Sequence, residues 1–242
     1  MTRSDSATLR PEIIVYFSPQ LRCDLVPYYF YRHAPDHLML DVVHRAIDSY
    51  NPAQGRELFE TLDSNAIREP ALTSQLIVGG SALSLSFAWT DLVAACSEAT
   101  QELGVHVTTD MVAVVTALAG LPGPIVVVHR LADISDEQIC RFFESAGIDC
   151  LGVCSEPASP ASNVGSSLTE GSEQAARLVR EGIHQHPGAA TVVLLGGSWW
   201  VDQAQAIAEQ EGKGFVNNLS AVMLPFAKTP NTTTTSRTQG KR

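Results

Sequence analysis

Gly80-Ser81-Ala82-Leu83-Ser84-Leu85-Ser86-Phe87 follows an apolar run, Leu72 to Gly79, and precedes a segment with helical spacing, Thr90 to Leu103, closed by Gly104. A strand that leaves through small and hydroxyl-bearing residues into a helix is the place where α/β proteins present backbone N–H groups to an anion. The device recurs. Thr191-Val192-Val193-Leu194-Leu195 runs into Gly196-Gly197-Ser198, more than a hundred residues later, so the chain repeats one unit in two halves. Neither turn contains a cysteine.

Working outward, Glu12 to Phe17 reads as an opening strand, and Asp36 to Tyr50 has the apolar spacing of a helix. Val105 to Thr108 is a short strand, and Thr109-Asp110 can cap a helix over Met111 to Leu118. After the turn Gly120 to Pro124 comes the strongest strand signal, Ile125-Val126-Val127-Val128, unbroken and β-branched as in a parallel strand covered on both faces. Asp133 to Ser145 reads as a helix, Cys150 to Cys154 as a strand and the polar stretch Ser155 to Ser172 as a loop able to act as a lid. A helix over Glu173 to His184, the strand Thr191 to Leu195, a helix over Asp202 to Gln210 and a last strand Gly214 to Val216 complete the pattern. This alternation predicts an α/β fold of two pseudo-symmetric lobes, each a parallel sheet flanked by helices, with the site in the cleft between them. The expected division is a flexible N-terminus at 1–10, a first lobe of 11–110 and 215–228, a second lobe of 111–214 and a disordered tail at 229–242.

The 242 residues are 45% apolar with a formal net charge of -10, enough chain for a large core and the wrong sign for nucleic acid. No apolar run approaches the length of a membrane span, and Met1 to Asp5 lacks the apolar core of a signal peptide, so a cytoplasmic protein is expected. Five cysteines, at 23, 96, 140, 150 and 154, read as free thiols. His33, His37 and His44 lie near Tyr28, Tyr29, Phe30 and Tyr31, but without the spacing of a metal-ligand set. An aromatic wall over a pocket and plain core packing are the open readings, core packing being the simpler, and no metal is expected.

Ala82 to Phe87, Val107-Thr108-Thr109-Asp110 with Ala113 to Leu118, Ile125 to Val128, and Leu194-Leu195-Gly196-Gly197 together resemble the aspartate/glutamate racemase superfamily. Within it the arylmalonate decarboxylase and maleate cis-trans isomerase branch is most similar. The resemblance runs over roughly residues 72 to 225 and implies two-lobed proteins that work without cofactor or metal on small carboxylic acids. Family chemistry uses a cysteine from one or both lobes to move a proton or add to a double bond. The motifs put those positions at Ala82 and at Leu195, or Gly196 with a one-residue shift, and neither side chain carries a proton. The family's carboxylate-binding tyrosine falls near Leu131.

What the resemblance leaves in place is anion binding: Ser84 and Ser86 in the first turn, Gly196, Gly197 and Ser198 in the second, and Asn217 at the last strand end. The competing reading is that these residues cap helices. The proton carrier must then lie at another strand end. His129 is suited by its ordinary pKa, with a satisfied structural histidine as its alternative, Asp110 could act as a base or serve a helix N-terminus, and Cys154 is the thiol at a strand end, with buried filler as its alternative. Trp199 and Trp200 could wall a pocket. The expected function is a cofactor-independent lyase or isomerase working through an enediolate-like intermediate. Its alternatives are a non-catalytic carboxylate-binding or regulatory protein, or a site rebuilt for hydrolysis or elimination. A small carboxylate is the expected ligand, and an exposed apolar helix face could support a homodimer.

Overall fold

A computed structural model describes residues 11–17, 30–31, 34–35, 38–45, 59, 75–131, 134–156, 168–196 and 201–227. Its strands are β1 (Pro11–Phe17), β2 (Met39–Arg45), β3 (Gln75–Gly79), β4 (His106–Thr109), β5 (Ile125–His129), β6 (Cys150–Ser155), β7 (Thr191–Leu195) and β8 (Gly214–Asn217). Its helices are α1 (Ser81–Ser84), α2 (Trp89–Leu103), α3 (Asp110–Leu118), α4 (Asp136–Ser145), α5 (Leu168–Gln185), α6 (Val201–Gln210) and α7 (Asn218–Ala227). The strands form two four-stranded sheets, ordered β2-β1-β3-β4 and β6-β5-β7-β8, with every pairing parallel. Numbered within its own half, each sheet has the same order, 2-1-3-4. The chain therefore builds one topology twice.

Period-two alternation explains why the continuous apolar strands are stable here. In β5, Ile125 and Val127 join one buried cluster while Val126 and Val128 join another; in β7, Val193 and Leu195 divide from Val192 and Leu194 in the same way. Helices α5 and α6 cover one face through Ala175, Leu178, Val179, Ala204 and Ile207. The other face meets Met111 and Val114 of α3 and Ile139, Phe142 and Phe143 of α4. That second cluster also takes in Ala82, Leu85 and Phe87 from the first half, so one core joins both halves. In the first sheet, Leu76 and Val78 face Ala99 of α2, whereas Ile77 faces Leu219, Val222 and Met223 of α7.

Three expectations change. The described part of Asp36 to Tyr50 is an edge strand, with all seven residues of β2 in register with β1. Leu40 and Val42 pack on one face and Val43 on the other. Apolar pairs spaced by three suit either helix or strand, and the open edge of β1 decides for strand. Second, Phe215 to Asn217, grouped in sequence with the first lobe, pair with β7 in the second sheet as part of β8. The tight turn at Glu211–Gly212 returns the chain directly to the sheet it has just left. Third, Asn218–Ala227, whose first residues read as a strand exit, is a helix. Its cap, described below, comes from a side chain. The lid expected over Ser155 to Ser172 keeps only Ser155, Glu156 and the first turns of α5 within the described residues.

Phe143 is fully buried and meets Phe142 edge-on at 5.5 Å. Phe143→Ala is expected to destabilise the fold by about 3–5 kcal/mol through transfer and cavity terms. Val93→Ala, at a side chain 41% exposed, should change stability by about 0.5 kcal/mol or less. Urea denaturation read by circular dichroism checks both.

Candidate functional site

A 2-1-3-4 order has its switch point between the first and third strands, where successive connections leave in opposite directions and open a crevice at the carboxyl ends. In the first sheet that point is the exit of β3 at Gly80-Ser81; in the second it is the exits of β5 and β7 at Arg130-Leu131 and Gly196. The first turn singled out in the sequence and Gly196, the opening residue of the second, stand at these points. Gly80 has φ +130°, a conformation that side chains rarely adopt. Gly196 has φ +67°, and a Cβ there would come within 2.8 Å of Leu131 Cδ2.

The exit of β3 faces a buried acid. Asp110, at the start of α3, is 1% exposed and has four donors around its carboxylate besides the backbone N–H of Gly80. Ser81 Oγ donates to Oδ2 at 2.6 Å and Asn218 Nδ2 to the same oxygen at 3.1 Å. Ser84 Oγ donates to Oδ1 at 3.3 Å and the Met111 N–H at 2.9 Å. Asn218 Nδ2 also reaches Ser81 Oγ at 2.9 Å. Thr109 caps α3 by accepting from the Val112 N–H at 3.1 Å, and Asp110, in the first turn, accepts the Met111 N–H, so it serves the helix N-terminus as well as the cluster. The cluster thus gathers the ends of β3, β4 and β8, two from one sheet and one from the other. Burial pushes the Asp110 carboxyl above its ordinary value, and the hydrogen bonds from Ser81, Asn218, Gly80 and Ser84 pull it back only in part.

The other expected site residues are placed as follows. His129, at the end of β5, is fully buried and held through both ring nitrogens. Its Nδ1 accepts from the Leu131 N–H at 3.1 Å, which makes Nε2 the protonated nitrogen, and Nε2 donates to Asp136 Oδ1 at 3.1 Å. It has no hydrogen bond to the Asp110 cluster. Burial lowers its pKa, and the Asp136 hydrogen bond and charge restore part of it. The arrangement suits a structural imidazole kept neutral, not a proton shuttle. Cys154 is buried against α5, where Gly182 leaves room for it, and burial raises its thiol. Its sulfur belongs to the core on the far face from Ala82 and Leu195. Ser86 donates to the Leu83 carbonyl at 2.6 Å and closes its own turn. Asn217 is the N-cap of α7: its Oδ1 accepts from Leu219 N at 3.0 Å and Ser220 N at 3.1 Å, and its Nδ2 reaches Leu194 O at 3.4 Å. Gly197, Ser198, Trp199, Trp200, His33 and His37 lie outside the described residues, as does the side chain of His44.

Two members of the cluster, Ser81 and Asn218, were not among the expected ligands. Ser81 follows Gly80 just past β3 and Asn218 is the first residue past β8, and that position was the available signal. Arg130, also absent from the expected set, places a buried cation at the exit of β5; burial lowers its pKa while Glu156 raises it. Among the described residues no group of three or more His, Cys, Asp or Glu side chains is arranged to hold a metal ion, and no helix is long and apolar enough to cross a membrane. A cavity of about 910 Å³ lies beyond the edge strand β4, between α2, α3 and α7. Gln75 and His106 in its wall open their strands, so it reaches the amino ends of the sheet and holds none of Ser81, Ser84 or Asp110.

The two titrations have opposite signs. Because the folded state holds the Asp110 proton more tightly, stability from this group falls as pH rises from 3.8 toward its raised folded value. Asp110→Asn should therefore gain stability relative to the native chain over that rise. His129 releases its proton more readily when folded, so its contribution is lost as pH drops through 6.5 toward the lowered folded value. His129→Gln should lower stability at pH 8 and flatten the loss on acidification. Thermal unfolding from pH 4 to 8 reads both differences, and parallel curves for variant and native chains would refute the assigned shifts.

No protein-family model matches the sequence, and no curated protein matches it. Solved structures do. A sulfate-associated glycine-to-cysteine variant of arylmalonate decarboxylase aligns with a TM-score of 0.73 at 18% identity, covering 90% of this chain and 95% of that one. The maleate isomerase of Pseudomonas putida S16 aligns with a TM-score of 0.69 at 9% identity over 90% and 91% of the two chains. A Nocardia farcinica maleate cis-trans isomerase, a cysteine-to-serine variant with a covalently bound succinylcysteine intermediate, aligns with a TM-score of 0.66 at 12% identity over the same shares. The parallel sheets flanked by helices in this chain are the α/β fold of arylmalonate decarboxylase and maleate isomerase.

Proposed function

We propose that the protein is a cofactor-independent lyase or isomerase that acts on a small carboxylic acid through an enediolate-like intermediate. The observation that carries this reading is the buried Asp110 carboxyl among the hydroxyls of Ser81 and Ser84 at the switch point of the first sheet. The fold shared with enzymes named for a malonate and for maleate adds to it. When Asp110 is protonated its own O–H can donate, and the Ser84 hydroxyl is released to point at a ligand. A proton then passes from Asp110 through Ser84 to the α-carbon of the intermediate, or back along the same path. Arg130 supplies positive charge for a substrate carboxylate, which a chain with a net charge of -10 does not provide through its overall field.

This mechanism replaces the cysteine chemistry that the resemblance implies. Ala82 and Leu195 lie in the same buried apolar cluster, so packing occupies the two positions that the motifs assign to thiols. That observation favours a second reading, a carboxylate-binding protein that kept the crevice and lost the reaction. The two readings separate in deuterated water. Small malonates, maleate and α-substituted monocarboxylates are incubated with the protein, and proton NMR follows carbon dioxide loss or deuterium entry at the α-carbon.

Turnover of one class is expected. Asp110→Asn should reduce it by about 100-fold or more, the scale of a lost acid/base group. Ser84→Ala should reduce it with the fold intact by circular dichroism. Calorimetric binding of a carboxylate without turnover would establish the second reading, and turnover indifferent to Asp110→Asn would remove Asp110 as the proton carrier.

A further inference from the structure

The four cysteines among the described residues divide by environment. Cys96 and Cys154 are buried, and burial raises Cys96 to about 12. Cys140 and Cys150 are only half-buried, and their sulfurs stand 3.1 Å apart. Cys140 lies in the middle of α4, and Cys150 opens β6, which among the described residues is the outer strand of its sheet. Between them the chain turns back through Ala146 and Gly147, with Gly147 at φ +77°. Hydrogen bonds from Ala146 N to Phe142 O, Gly147 N to Glu144 O and Ile148 N to Phe143 O hold the turn. The Cys150 thiol also reaches the Gly152 carbonyl at 3.6 Å. The pair is therefore fixed from both sides by regular structure. Disulfide bonding requires the sulfurs to close by about 1 Å.

We propose that Cys140 and Cys150 are a redox-modification site that forms a reversible intrachain disulfide with low-molecular-weight disulfides such as oxidised glutathione. One protein thiolate attacks a glutathione sulfur, releases one glutathione thiolate and leaves a mixed disulfide. The second protein thiolate then attacks the protein-side sulfur and releases the other glutathione. Two protein thiols lose two electrons and two protons, and one oxidised glutathione becomes two reduced molecules. Burial and the neighbouring Cys140 sulfur push the Cys150 thiol up, so the exchange accelerates with rising pH. The bond would staple α4 to β6. The first turns of α4 carry Asp136, the partner of His129, and Gln138, whose Nε2 donates to the Leu85 carbonyl at 3.1 Å. Oxidation would thus fix the helix that contacts the Gly80 to Phe87 turn. The proposal holds whichever function the Asp110 cluster serves.

The test incubates the reduced full-length chain with oxidised glutathione at pH 8.5, then alkylates free thiols and maps peptides by mass spectrometry. The expected product is monomeric on a non-reducing gel and lighter by two hydrogens, with Cys140 linked to Cys150, and it reverts with dithiothreitol. Cys140→Ser should lose the two-hydrogen change and carry glutathione on Cys150 instead. Recovery of both native residues as alkylated thiols, as separate glutathione adducts or as links between chains would overturn the proposal.

Discussion

The Asp110 carboxylate is the constraint on which the site depends. A carboxylate removed from water costs several kcal/mol unless hydrogen bonds replace its hydration. Here Ser81, Ser84, Asn218 and the Met111 and Gly80 N–H groups converge on it from the exits of β3, β4 and β8. Because Asn218 follows a strand of the second sheet, the acid ties the two halves of the molecule as well as the ends of adjacent strands. Removing any one donor leaves a buried acceptor short of a partner. The positions of Ser81 and Ser84 are consequently coupled to the seating of α7.

Around that polar point the core is apolar on both sides of each sheet. The alternation in β5 and β7 sends one set of side chains to α5 and α6 and the other into the cluster shared by the two halves. Ala82 and Leu195 belong to this shared cluster, so the space between the repeated turns is partly filled by packing. In the proposed mechanism, proton transfer through the Asp110 carboxyl and the Ser84 hydroxyl takes the place of the sulfur chemistry that the resemblance implies. His129 shows how strand-end position alone misleads: an imidazole at that place is useful for transfer only if a nitrogen is free, and both are engaged.

The repeated strand-turn-helix unit, the strand positions other than β2 and the cap at Thr109 were legible in the sequence, because each depends on residues close together along the chain. A continuous β-branched run must be covered on both faces, and a threonine before a helix can satisfy an open N–H. Ser84 and Asp110 were picked out for the same reason, each standing near a strand exit, and the structure brings them into one hydrogen-bonded cluster. Cys154, Ser86, Asn217 and His129 looked equivalent to them at that level, since position relative to a strand does not reveal which way a side chain turns or what it meets.

Tertiary structure decided the rest. Whether Met39–Arg45 became helix or strand depended on the open edge of β1, far away in sequence. Whether Asn217 or Asn218 reached the cluster depended on the helix start, where one asparagine caps the backbone and the next turns toward Ser81 and Asp110. The sulfur pair of Cys140 and Cys150 depended on the turn that folds α4 back onto β6. By itself the sequence determined a twice-built α/β chain with hydroxyl-bearing strand exits and no cysteine at the repeated turns. Local sterics and hydrogen bonding suffice for those features, whereas burial, charge and partnership are properties of groups that only packing brings together.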